Sequence, residues 1–217
     1  MNSKLKLGVI ISGKGSNLKS LIEATQKNNF PAEIVIVIAN VPNIAGIEIA
    51  EEASLPVCTI NHNDFNNREL FEKEIHAVLI NARVELVCLA GFMRILTDHF
   101  IELWLNKIIN IHPSLLPSFK GLNTHERAIK SGAKFSGCTV HFVRPEMDSG
   151  PIIIQAVVPI NQKDTPATLA NRILIAEHKI YPRAVKLIAS KRVLIKNNRV
   201  SVKDSSSTNE ILINPNS

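Results

Sequence analysis

Aromatic side chains are scarce, at 5% of the 217 residues, with one tryptophan and one tyrosine. A nucleic-acid surface interleaves its cations with stacking rings. Here the late cations Lys179, Arg183, Lys186, Lys191, Arg192, Lys196, Arg199 and Lys203 have only Tyr181 among them. That cluster reads as a solvated basic face, although the net charge of +6 still favours an anionic small-molecule substrate. Cysteine is sparse too: Cys58, Cys88 and Cys138 form no CxxC pair, and each sits in an apolar run. Such spacing excludes a disulfide framework and a zinc site, and points to a reducing cytoplasm. No apolar run approaches the ~20 residues of a membrane helix. The N-terminal "MNSKLKLGVIIS" has no small-residue cleavage site and runs into a glycine turn, so it reads as a first strand rather than a signal peptide. Neither HxH nor HExxH spacing occurs, which argues against a metal site, and His141 and His178 read as structural.

What is present is the profile of a globular α/β protein, with 45% hydrophobic and 20% charged residues. Strand runs "LKLGVIIS" (5–12), "EIVIVIAN" (33–40), "VCTI" (57–60), "VELVCLAG" (84–91) and "KIINIH" (107–112) are separated by helix-period segments. In the first of these segments Leu18, Leu21, Ile22 and Thr25 share one face, and a charged helix is expected over 66–81. Near-continuous apolar strands alternating with helices predict a Rossmann-like, mostly parallel sheet covered on both faces. "GCTVHFV" (137–143) and "PIIIQAVVPI" (151–160) add an antiparallel pair in the C-terminal half. A helix from about 165 should break or kink at Pro182 before a second piece through Ala189. No linker divides the chain, so 1–203 is expected to be a single domain and 204–217 a flexible tail.

Four stretches could carry chemistry. "SGKGSN" (Ser12–Asn17) is a glycine turn that opens a helix, where N–H groups of Gly15, Ser16 and Asn17 offer an anion site. Glycine is absent where GxGxxG requires it, since Leu18 stands there, and no Walker A loop occurs. A single phosphate therefore fits better than a pyrophosphate, the alternative being a plain βα turn capped by Ser16. "LAGFMRIL" (Leu89–Leu96) leaves a strand at the carboxyl edge of the sheet, either lining a slot for a flat ring or packing on the next helix. In "NIHPSLLPSFKG", Asn110 and His112 are two apart and so share a strand face, and Pro113 ends the ladder. An amide beside an imidazole can stabilise an oxyanion. "RPEMDSGPI" (Arg144–Ile152) is a polar turn. Asp148 is either an ordinary turn former or, if the turn folds over the strand end, a partner for His112 that favours the imidazolium.

Together "SGKGSNL", "LAGFMRIL", "NIHPSLLPSFKG", "GCTVHFV", "DSGPII" and "AEHKIYP" resemble the phosphoribosylglycinamide formyltransferases, the folate-dependent enzymes of purine synthesis. The resemblance covers roughly 5–188. It implies transfer of a formyl group from 10-formyltetrahydrofolate, a co-substrate, to the amine of glycinamide ribonucleotide. By position it implies Asn110, His112 and Asp148 as the catalytic set. Gly15, Ser16 and Asn17 are implied for the substrate phosphate, and Glu177 for the ribose hydroxyls. It implies folate contacts at Met93, Arg94, Ile95, Leu96, Asn110, Arg144, Pro145, Glu146, Met147 and Asp148, with Arg68 near the folate tail. The N-terminal half would bind the phosphorylated substrate and the C-terminal half the folate. A cytoplasmic monomer or homodimer is implied, with no metal, nucleic acid or membrane partner.

The pattern departs from the family in two places. "ILIA" before Glu177 is more apolar than a substrate-contacting segment, and Asn123 stands where some relatives have histidine. Methionyl-tRNA formyltransferase shares the central motif, but the stretch after Ala189 is too short for its tRNA-binding domain. Formyltetrahydrofolate hydrolase carries an extra N-terminal regulatory domain, whereas the first strand here begins at Leu5. A nucleotide-binding module without catalysis would have no need of Asn110, His112 and Asp148 together.

Overall fold

The computed structural model describes residues 3–205 and 210–215. Among them, seven strands form one mixed sheet in the order β3-β2-β1-β4-β5-β6-β7. The strands are β1 (Leu5–Ile11), β2 (Ala32–Ala39), β3 (Val57–Thr59), β4 (Leu86–Leu89), β5 (Ile108–His112), β6 (Phe135–Phe142) and β7 (Ile152–Pro159). Pairings from β3 through β5 are parallel, and β5–β6 and β6–β7 are antiparallel. This is the Rossmann-like arrangement expected from the alternation of strand and helix signals.

The helices are α1 (Ser16–Thr25), α2 (Ala45–Glu52), α3 (Arg68–Asn81), α4 (Asp98–Leu103), α5 (Thr124–Lys130) and α6 (Pro166–Ala189). Strand side chains alternate between two cores. Leu7, Val9 and Ile11 pack with Leu18, Leu21 and Ile22 of α1 and with Leu169, Ile173 and Tyr181 of α6. Ile10, Ile36 and Ile38 face the other way, against Phe71, Ile75 and Leu79 of α3 and Phe100 of α4. Chain order reverses at β1, which lies between β2 and β4. Open α/β sheets bind ligands beyond the carboxyl ends of strands at such a point. Ser12 and Gly91 leave the sheet there.

One element differs from the sequence expectation, and one adds to it. Helix α6 continues through Pro182 as one 24-residue helix instead of separating into two pieces. Proline removes one backbone donor, but Tyr181, Ala184 and Val185 on either side are fully buried. The Tyr181 hydroxyl donates to the Leu89 carbonyl at 2.9 Å, with the Ile109 carbonyl at 3.3 Å. Packing thus outweighs one lost hydrogen bond. After α6, β8 (Val193–Lys196) and β9 (Arg199–Val202) form a separate antiparallel hairpin. Its turn residues Asn197 and Asn198 both have positive φ, the backbone of a two-residue hairpin loop.

Residues 206–209 and 216–217 of the expected tail lie outside the described residues. Within the described part, Asn214 Nδ2 donates to the carbonyls of Lys134 (2.6 Å) and Ile160 (3.0 Å). No helix among the described residues is long and apolar enough to cross a membrane.

Candidate active site

Strand β5 delivers its polar pair by pleat alone. Ile109 and Ile111 point into the core beneath α6, so Asn110 and His112 emerge on the opposite face, beyond the end of Ile108. The neighbouring strand sets His141 opposite Asn110 and Thr139 opposite His112. His112 is 5% exposed. Its Nε2 lies 3.0 Å from the Phe119 carbonyl, which accepts only, so this nitrogen carries hydrogen. Its Nδ1 lies 3.4 Å from Asp148 Oδ2. With Nε2 engaged by Phe119, Nδ1, at ion-pair distance from Asp148, is the ring nitrogen left for a ligand in the cleft.

Asp148 reaches this position through a left-handed backbone (φ 51°) in the β6–β7 turn, which folds over the strand end. Its Oδ2 also accepts from Gly121 N at 2.8 Å, fastening the turn to the loop that follows β5. Asp148 Oδ1 lies 3.7 Å from His141 Nε2. Burial drives the His141 pKa down, against the opposing pull of the Phe142 carbonyl and Asp148. With Nδ1 donating to the Phe142 carbonyl (3.0 Å), neutral His141 presents an Nε2 lone pair to Asn110 Nδ2, 3.4 Å away. That contact orients the Asn110 amide with its nitrogen towards the cleft.

The cleft has a volume of about 430 Å³. Met93, Arg94, Ile95, Leu96, Arg144, Pro145, Met147 and Asp148 line it together with Asn110 and His112. Two of the expected folate residues do not. Glu146 is exposed and pairs with Lys120 at 3.1 Å, and Arg68 stands outside the lining with Nη1 3.5 Å from the Ile95 carbonyl. Met93 and Ile95 are 75% and 60% exposed, leaving apolar surface at the mouth.

The glycine turn adjoins this cleft, since Ser12 Oγ accepts from Met93 N at 3.0 Å. Gly15, not Ser16, is the N-cap of α1; its φ is 73°, and among the described residues no side chain caps the helix. The first-turn N–H groups are therefore not spent on a side-chain acceptor. Asn17 Nδ2 donates to Glu177 Oε2 of α6 at 2.7 Å, both groups being buried. Asn17 Oδ1 is buried with no hydrogen-bond partner among the described residues. The four residues expected to hold the phosphorylated substrate thus meet at one place, at the junction of α1 and α6.

A family model described as formyl transferase matches residues 5–185. The chain belongs to the formyl transferase family. The phosphoribosylglycinamide formyltransferase of Haemophilus influenzae is 40% identical, the match covering 89% of this chain and 91% of that protein. The human trifunctional purine biosynthetic protein adenosine-3 is 49% identical over 90% of this chain, which spans 19% of that longer protein. In structure, the phosphoribosylglycinamide formyltransferase from Anaplasma phagocytophilum superposes with a TM-score of 0.88 at 44% identity. That alignment covers 94% of this chain and 96% of the other.

Within this formyl transferase, His141 is the site neighbour that sequence reasoning set aside as structural. A signal existed: over 138–142 of this strand Thr139 and His141 are polar and alternate with the apolar Cys138, Val140 and Phe142. Among the described residues no group of three or more His, Cys, Asp or Glu side chains is arranged to hold a metal. Burial pushes the Cys88 and Cys138 thiols up to about 12, leaving them as inert core groups.

Glu177 gives this formyl transferase a pH signature. Burial raises its pKa above the ordinary glutamate value, and the Asn17 hydrogen bond offsets that only in part. Between the unfolded and folded pKa values the native state holds the extra proton, so the stability that Glu177 contributes should fall as pH rises through that window. His125, His141 and His178, with lowered pKa values, contribute with the opposite sign. The measurement is therefore the difference in denaturant midpoint between parent and Glu177→Gln, which should move against the parent as pH rises from the ordinary carboxylate range. A difference that moves in the parent's favour instead would reverse the sign.

Proposed function

We propose that this formyl transferase moves the formyl group of 10-formyltetrahydrofolate to the amine of glycinamide ribonucleotide, a step of purine biosynthesis. The observation that carries the reading is the meeting of Asn110, His112 and Asp148 at the floor of a cleft that adjoins an uncapped helix N-terminus. The pterin would enter between Met93–Leu96 and Arg144–Asp148, in a space of the size small ligands occupy. Its tail would leave past Arg68. The substrate phosphate would take the N–H groups of Gly15, Ser16 and Asn17, with Glu177 accepting from the ribose hydroxyls.

With both substrates seated, the neutral amine adds to the formyl carbon and the carbonyl electron pair moves onto oxygen. Asn110 Nδ2–H and His112 Nδ1–H donate to that oxyanion. Donors of this kind each contribute about 3 kcal/mol where measured. Asp148, directly or through water, takes a proton from the attacking nitrogen and returns it to N10 as the C–N10 bond breaks. The products are the formamide and tetrahydrofolate. The chemistry requires neither a metal nor a covalent intermediate; most of the acceleration comes from holding two substrates in register. One domain, 1–203, carries both sites, and the reading extends to a cytoplasmic monomer or homodimer.

An assay with three acceptors tests the assignment. Formyl folate is supplied with glycinamide ribonucleotide, with methionyl-tRNA, or with water alone. Transfer to the ribonucleotide is expected to exceed the other two by orders of magnitude. Comparable formylation of tRNA, or release of formate at a similar rate, overturns it.

A further inference from the structure

We propose that Glu72, which lies outside the cleft, is a positioning residue that sets the shape of the apolar loop 91–97. The proposal rests on the reading of that loop as one wall of the folate site. Glu72 is 3% exposed. Its partners among the described residues are both on Thr97: the backbone N–H donates to Oε1 at 2.8 Å, and the hydroxyl donates to Oε2. Thr97 Oγ1 then accepts from Phe100 N as the cap of α4. A carboxylate removed from water without a cation beside it is costly, and packing alone would be better served by an apolar residue. What the carboxylate adds is a fixed position for Thr97.

The loop depends on that fixing. Among the described residues no backbone–backbone hydrogen bond holds residues 91–96. One end is pinned by Ser12 Oγ on Met93 N, the other by Glu72 on Thr97. Between the pins, one face of α3 meets the loop twice more. The Arg68 guanidinium reaches the Ile95 carbonyl at 3.5 Å, and the Phe71 ring lies 5.8 Å below the Arg94 guanidinium. Positions 68, 71 and 72 are i, i+3 and i+4, the spacing that presents one helix face. Met93 and Ile95 project from the loop held in this way.

Three variants in the full chain test the idea. Glu72→Ala removes both acceptors and should raise KM for 10-formyltetrahydrofolate about tenfold, with KM for glycinamide ribonucleotide within about twofold. Glu72→Gln should restore folate KM to within about twofold, because its oxygen accepts the Thr97 N–H and its NH₂ donates to Oγ1. Thr97→Val keeps the shape and loses the hydroxyl, for a rise of about threefold; it carries the test if Glu72→Ala does not fold. Equal rises in both KM values, or an unchanged folate KM in a folded Glu72→Ala or Thr97→Val protein, overturn the proposal. Calorimetric titration with tetrahydrofolate separates the two layers. A native chain that binds none overturns the cleft assignment and this proposal with it. Native binding with the same Kd in the folded variants overturns the proposal alone.

Discussion

Replacing His112 by alanine is expected to lower kcat for formyl transfer by about 10²–10³, with little change in KM for glycinamide ribonucleotide. The ring is engaged on two sides, with Nε2 on the Phe119 carbonyl and Nδ1 facing Asp148. Its Nδ1–H is the part the proposed mechanism uses, and it acts only once negative charge develops on the formyl oxygen. The loss should therefore fall on turnover, not on ground-state binding. Asp148→Asn is the companion test. The amide can still accept from Gly121 N, so the turn keeps its anchor, but it can neither take a proton nor set a negative charge beside the His112 ring. A similar fall in kcat is expected. Near-normal turnover in either folded variant would remove His112 and Asp148 from the chemistry.

Gly15→Val should do the reverse, raising KM for glycinamide ribonucleotide by about 10², which is roughly 2.7 kcal/mol of binding, while kcat at saturation falls much less. Gly15 sits at φ 73°, a region that β-branched residues avoid. A Cβ there would lie 2.7 Å from Gly46 Cα, backbone that cannot swing aside. The valine variant must shift the turn that aims the α1 N–H groups, and a lower thermal midpoint should accompany the change. Steady-state kinetics with the ribonucleotide varied at saturating folate gives the answer. An unchanged KM would dissociate the glycine turn from phosphate binding.

Much of the site was readable because it is encoded locally. Asn110 and His112 share a face through the two-residue period of a strand, and Pro113 marks where that strand must stop. The pairing of Asp148 with His112 was readable only as a condition, because it depends on how the β6–β7 turn folds back. The structural reading of His141 and the silence of the sequence about Glu72 have one reason: each is defined by a partner far along the chain. His141 meets Asn110 through an antiparallel register, and Glu72 meets Thr97 across 25 positions. Nothing in a charged helix pattern shows that one carboxylate of α3 is buried. At Pro182 a sound local rule was outweighed by tertiary packing. At Asn197–Asn198 the turn chemistry was present in the sequence, flanked by short alternating runs.

The hydrogen bond from Met93 N to Ser12 Oγ joins the turn proposed for one substrate to the loop proposed for the other. Any displacement one ligand imposes on its own loop must therefore do work on the other. Thermodynamic linkage makes that effect reciprocal: whatever factor bound ribonucleotide applies to folate affinity, bound folate applies to the ribonucleotide. On that reading a single serine hydroxyl carries part of the cooperativity between the two substrates.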